Sequence, residues 1–169
     1  DIIRKEFAVK HNFNFSDSIN FTQKLNSNNY KRTFRQTGID QSFFKYANTY
    51  EELLDYDLRL QIDSKRMSTI GGLELSRPKF NNDRVNGGSH NQVTKSIFFQ
   101  NDFKLTKVNK VITGIRYDRF KNGHVFSPRF AFLYKLNERI KLRFSSGTGF
   151  RIPSFLELYV DFYNVDNGY

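Results

Sequence analysis

The chain has 169 residues, a formal net charge of +10 and no cysteine, which excludes a disulfide framework and any thiolate metal site. No run of roughly eighteen apolar residues occurs, so no membrane-spanning helix is predicted. Mean hydropathy is −0.63, yet 19 Phe and 9 Tyr are spread along the whole length. Strands with only alternate side chains apolar reconcile the two, because a polar average then conceals an apolar face. Alternation alone leaves open whether that face meets lipid, or fills a soluble sandwich or a lipocalin-like cup. The cations are dispersed among strands, turns and loops, not gathered into the basic stripe that nucleic acid requires, so no nucleic-acid partner is expected.

The pattern predicts about eight strands in four hairpins: 5–15, 19–36, 50–62, 66–79, 91–106, 110–121, 126–136 and 139–150. In the first, His11 shares a face with Phe7, Val9, Phe13 and Phe15 and reads as an interfacial side chain. The second strand and the stretch to Asn48 are the least regular, because adjacent Phe43 and Phe44 break the alternation. They mark a strand end or a loop turning inward. The third strand is the clearest. Leu54, Tyr56, Leu58, Leu60 and Ile62 take one face and Asp55, Asp57, Arg59, Gln61 and Asp63 the other. Asp55/Asp57 and Glu51/Glu52 have the spacing of acid–base pairs. Their neighbours Arg59, Glu74 and Arg116 point instead to a charge network lining a lumen, and no catalytic residue is assigned. The sixth strand sets Val111, Ile115 and Tyr117 against Arg116 and Asp118. The seventh sets Phe130, Phe132, Tyr134 and Leu136 against Arg129 and Lys135. The eighth sets Ile140, Leu142 and Phe144 against Lys141 and Arg143.

Connections around Ser16–Ser18, Asp63–Lys65, Lys107–Asn109 and Asn137–Glu138 are tight. Those around 37–49, 80–90 and 121–125 are longer and rich in Asn, Gly and Lys. Short turns on one side and long loops on the other suit an outer-membrane barrel with its long loops outside the cell. Beyond the PSFLELYV stretch, no segment has convincing helical period.

The last sixty residues carry an ordered series: Gly114 to Asp118, Phe126 to Arg129, Tyr134 with Lys135, Gly147 to Ser154, and Glu157 to Tyr159. In this order they resemble the barrel of a TonB-dependent outer-membrane receptor, with its GxRYD strand, fSPR, Y-K turn and GTGFRAPs-ELY. The resemblance implies an all-β, antiparallel transmembrane barrel segment belonging to a closed barrel of about 22 strands. The whole of 1–169 would then be a partial barrel domain, without the plug and the TonB box. It also implies a place in the cell outer membrane, amid lipid and lipopolysaccharide, in a receptor importing a scarce nutrient such as haem, a ferric siderophore or cobalamin. Energy would come from the TonB complex, through parts of the protein outside this segment. The chain begins Asp-Ile-Ile-Arg, without methionine or signal peptide, and is read as an internal piece. The alternative is a self-contained eight-stranded outer-membrane barrel, an adhesin or structural protein. That would require an aromatic final strand pairing with the first, and VDFYNVDNGY does not supply one.

Within Gly147–Pro153, glycine freedom and the extended bias before Pro153 suffice for a strand that ends in a loop. Phe150-Arg151-Ile152-Pro153 also resembles the FRAP box of haem receptors, with Ile in place of Ala. The histidine that those receptors carry beyond the box is absent from residues 154–169. Ligand contact is therefore assigned to His90 and His124, expected in outer loops, and to Arg151, Tyr159 and Tyr163, with Tyr169 a further candidate. Tyrosine and arginine can stack on or pair with a flat, anionic or metal-chelate nutrient. No three or four ligands converge with zinc spacing; no metal site and no cofactor is assigned.

Overall fold

The computed structural model describes residues 1–37, 43–83, 85 and 87–159. They form one antiparallel sheet: β1 (Ile2–Ser16), β2 (Ile19–Thr37), β3 (Phe43–Asp63), β4 (Met67–Asn82), β5 (Ser89–Asn91), β6 (Thr94–Lys104), β7 (Asn109–Phe120), β8 (Gly123–Lys135) and β9 (Lys141–Gly147). A short helix, α1 (Phe155–Tyr159), follows. Each strand pairs with its sequence neighbour in the order β1-β2-β3-β4-β6-β7-β8-β9, and β5 lies against β4. The sheet is open: β1 and β9 do not pair. The closed eight-stranded alternative is therefore not the fold observed.

The period-two pattern survives seven successive ladders. Phe13 faces Phe21, Phe21 faces Leu60 and Leu58 faces Leu73. Leu73 then faces Ile97, Ile97 faces Tyr117, Tyr117 faces Phe126 and Phe132 faces Phe144. The apolar residues joined by these ladders thus fall on one side of one sheet. That side is the exposed one: Leu73 is 51% exposed, Ile97 54%, Leu142 56% and Phe144 61%. The opposite side holds the buried polar residues Thr94, Ser96 and Asp118, the last only 9% exposed. A soluble sandwich or cup would have these reversed, with aromatic groups inside.

Three expectations need correction. The long connection over 37–49 is mostly strand. β2 runs to Thr37 and β3 starts at Phe43, leaving residues 38–42 outside the described structure. The irregularity that hid this is a bulge: Phe34 faces Ala47 and Arg35 faces Lys45, so Tyr46 has no partner across the ladder. The segment 121–125 is no long loop either, since Phe120 already pairs with Gly123. The strand expected over 91–106 is split into β5 and β6. Both keep one register against β4, and the gap at Gln92–Val93 lies opposite Pro78, which has no N–H to give. Its carbonyl still accepts from the Gln92 N–H at 3.2 Å.

The tight turns are closed by their own side chains. Asn137 Oδ1 accepts from the Arg139 and Ile140 N–H groups at 2.9 and 2.7 Å. Thr106 Oγ1 accepts from Val108 and Asn109, and Ser16 Oγ from Ser18. At the other end the β4–β5 connection takes φ of +81° at Gly87 and +67° at Gly88, angles that explain its Gly-Gly pair.

Gly72 tests the register. A Cβ there would lie 2.4 Å from Phe98 Cζ and 2.5 Å from the Leu58 carbonyl oxygen. At Gly71, on the apolar side, the nearest atom is a comfortable 3.6 Å away. Gly72→Val is expected to destabilise the protein by about 1–3 kcal/mol, and Gly71→Ala to leave it nearly unchanged. Thermal loss of heat-modifiable gel migration measures both.

Candidate functional site

The polar face of β3, β4, β6 and β7 carries a continuous charge ladder. Asp57 accepts from Arg59 at 2.6 Å, Arg59 reaches Glu74 at 3.5 Å and Glu74 accepts from Arg116 at 2.6 Å. Arg116 Nε also donates to Asp118 at 2.9 Å. Ser96 closes the end, donating to Asp118 at 2.5 Å while accepting from Arg116 Nη2 at 3.0 Å. The network anticipated from the sequence is therefore formed. Its logic is cross-strand: Asp57, Glu74, Ser96 and Asp118 occupy successive opposite positions, so two arginines suffice for three carboxylates. The Arg59 guanidinium also lies over the Phe98 ring, 5.6 Å from its centroid.

Above this ladder lies a cleft of ≈ 860 Å³, whose floor includes Asp55, Glu74, Thr94, Arg116 and Asp118. Its roof is the segment Phe150–Phe155. β9 leaves the sheet at Gly147, opposite Arg129, well before β8 reaches its outer end. The Thr148 N–H still donates to the Pro128 carbonyl at 3.1 Å, and the chain then turns over the polar face. Three ring contacts hold it there. Phe150 stacks on Phe120 at 5.5 Å and 12°, Phe155 on Phe80 at 6.0 Å and 18°, and Tyr159 on His90 at 3.8 Å and 8°.

The segment is also braced internally. Glu157 accepts from Arg151 Nη2 at 2.5 Å, from the Ser154 N–H at 2.7 Å and from Ser154 Oγ at 3.0 Å. The Glu157 N–H donates back to Ser154 Oγ at 3.3 Å. This is a capping box, Ser-x-x-Glu, in which two otherwise unpartnered helix N–H groups are satisfied reciprocally. The Arg151 guanidinium, followed by the Ser154 donors, holds the Glu157 carboxyl down to about 2.

Among the assigned ligand contacts, the structure brings His90 and Tyr159 into face-to-face contact at the rim of the cleft. Arg151 sits in the roof, already bound to Glu157 and 74% exposed along its side chain. His90 belongs to β5 and His124 to β8, not to loops. His124 faces the apolar side, opposite Arg119 and tilted against the Tyr117 ring at 5.9 Å. The sheet thus separates it from the cleft. Tyr163 and Tyr169 lie outside the described residues. The sequence reading missed Phe80, Phe120 and Phe155, whose roles depend on a long-range return of the chain. Glu157 was legible, because Ser154-x-x-Glu157 is a local helix-start signature. Among the described residues no group of three acidic or histidine side chains is placed to hold a metal.

Comparison with known proteins decides the family. The family model described as TonB dependent receptor-like, beta-barrel matches residues 2–169. The chain belongs to the TonB-dependent receptor family. Its members are outer-membrane transporters, not enzymes. Two solved structures share the fold of this TonB-dependent receptor segment. The siderophore receptor PirA from Acinetobacter baumannii has 15% identity and a TM-score of 0.58, over 81% of this chain and 24% of that one. The siderophore receptor PirA from Pseudomonas aeruginosa has 17% identity and a TM-score of 0.57, over 81% and 26%. The segment spans about a quarter of their length. No curated protein matches in sequence.

The depressed Glu157 carboxyl makes the roof's cap pH-dependent. Its folded value lies below the ordinary 4.5, so the contribution is fully present above that value and lost as pH falls through about 2. Amide exchange over residues 151–158 is therefore expected to be flat from pH 7 to about 5 after correction for intrinsic rates, then to quicken. Glu157→Gln is expected to exchange faster throughout, without that acid step.

Proposed function

We propose that this chain forms part of the wall of an outer-membrane receptor that imports a scarce nutrient with energy from the TonB complex. The single observation that supports it is the inverted burial. A contiguous sheet exposes its aromatic and aliphatic face while pairing charges on the other, where Asp118, Ser96 and Thr94 are buried, the distribution required of a wall between lipid and an aqueous lumen. On this reading the apolar face meets membrane lipid and lipopolysaccharide. The end at which β2 stops and β3 starts, where β5 and the 148–159 segment also lie, faces outside the cell. The plug and the contact with TonB belong to parts of the receptor beyond residues 1–169.

The nutrient is a metal chelate or similar compact ligand, with a ferric siderophore ahead of haem and cobalamin. The siderophore reading draws on the two receptors of like fold. The missing histidine after Pro153 lowers haem. Ligand recognition by this segment falls to the His90–Tyr159 pair at the rim and to Arg151 in the roof, with Tyr163 as a further contact. The paired state of Arg151 means that an anionic ligand would have to compete with Glu157 for it.

The face assignment is tested by placing the same cation on either side of β3. Leu58→Arg sets an unpaired charge in the lipid band and is expected to cost about 2–4 kcal/mol, impairing assembly. Gln61→Arg points to the polar face beside Asp63, which already accepts from Gln61 at 2.8 Å, and is expected to assemble normally. Equal tolerance by heat-modifiable migration would remove the basis for a membrane wall.

Transport is tested by growth of a strain whose limiting nutrient is haem, a ferric siderophore or cobalamin in turn. His90→Ala with Tyr159→Ala in the complete receptor is expected to slow growth on one of them at unchanged surface abundance. Unchanged growth on all three would leave these rings a structural role only.

A further inference from the structure

On the reading of this segment as part of a nutrient receptor, we propose that the cleft beneath the roof takes a ligand with a cationic group, an ammonium or guanidinium arm on a compact chelate, and that Asp55 and Glu51 supply its counter-charge. The cleft has the volume of a small-molecule site, ≈ 860 Å³. Rings wall it as well as charges: Phe80 on the sheet side, Phe150 and Phe155 on the roof. Aromatic faces attract cations, most strongly where water is partly excluded.

The charges of the lining are unequal. Five carboxylates border the cleft, Glu51, Asp55, Asp57, Glu74 and Asp118, against two guanidinium groups, Arg116 and Arg151. Both guanidinium groups are already committed, Arg116 to Glu74 and Asp118, and Arg151 to Glu157. Arg59 in turn reaches Asp57 and Glu74. Asp55 and Glu51 are left over. Neither makes an ion pair among the described residues, and Asp55 accepts from a neutral donor, Ser76 Oγ, at 2.6 Å. Lys24, which stands opposite Asp57 on β2, does not line the cleft. An anionic ligand would therefore find every cation of the lining engaged and two carboxylates opposing it. A cationic arm would gain a charge-assisted hydrogen bond from either of them.

The register orders the two carboxylates along the path inward. Both project from the polar face of β3, four residues and about 13 Å apart, so one arm meets them one at a time. Glu51 shares its row with Phe80 and His90, at the rim where Phe155 and Tyr159 stack. Asp55 lies deeper, in the row of Ser76 and Thr94, next to the Asp57–Asp118 ladder. Glu51 thus receives the arm and Asp55 holds it.

The test measures equilibrium binding to the complete receptor that contains this segment, in neutral detergent. The probes are three forms of one linear ferric trihydroxamate: with its terminal amine free, acetylated to a neutral amide, and succinylated to an anion. The free-amine form is expected to bind about tenfold more tightly than the acetylated form, and the succinylated form most weakly. Asp55→Asn, which keeps an acceptor for Ser76, and Glu51→Gln are each expected to weaken the free-amine form about threefold to fivefold while leaving the acetylated form unchanged. Lys24→Gln is expected to keep the preference of the parent. No binding of the free-amine form, equal binding of all three, preference for the succinylated form, or unchanged discrimination in the Asp55→Asn/Glu51→Gln variant would each overturn the proposal. If it is overturned while His90→Ala with Tyr159→Ala still slows growth on one nutrient, the receptor reading stands without the charge preference; if growth is unaffected as well, both fall.

Discussion

Everything in this structure depends on register. In a strand the side chains alternate, so a one-residue slip in any ladder would move that strand's leucines and phenylalanines to the charged side. Seven ladders in series keep the same parity, from Phe13 against Phe21 to Phe132 against Phe144. The two departures, at Asn14/Ser16 and at Phe34/Arg35, lie near strand ends. There a change of face disturbs neither the apolar band nor the Asp57–Asp118 ladder. The charge ladder is itself a register device. Glu74 can join Arg59 to Arg116 only if β4 sits as it does between β3 and the β6–β7 pair.

The fold was legible because its signal is periodic and local. Alternation within β3, β7 and β8 assigned both faces correctly, and the same residues that broke alternation concealed the end of β2 and the start of β3. Tyr46, the unmatched residue of the bulge, interrupts the ladder between Ala47 and Lys45, so the two-residue period of β3 cannot be read back past it. The split between β5 and β6 was hidden for another reason. Its cause, Pro78, lies on the partner strand, and the broken strand keeps its own pattern on either side.

The candidate site was less legible because it is assembled by return of the chain. Nothing local to His90 or Tyr159 indicates that their rings stack, 69 positions apart in sequence. The expected loop position of His124 was wrong on a countable point. Phe120 pairs with Gly123, so the turn is two residues long, and parity then puts His124 with Phe126 and Phe130 instead of with Arg116. Arg151 was assigned by residue type, and its carboxylate partner lies within the same ten-residue segment. Ser154-x-x-Glu157 would have identified both the cap and a nearby sink for the guanidinium.

The two sides of the sheet solve the problem of a cation differently, and this links wall to function. On the polar side the half-exposed Arg59 and Arg116 are compensated by fixed carboxylates, because the aqueous lumen supplies only part of their solvation and the unpaired charge would be costly. On the apolar side no carboxylate is built in near Lys95 or Arg119. A fixed acid there would have to be desolvated beside the apolar band wherever a cation failed to meet it. The absence of acids from that face, Glu52 apart, is therefore the same constraint as the presence of leucine on it. Both follow from what the face is solvated by, and both would be lost if the ladder between β6 and β7 moved by a single residue.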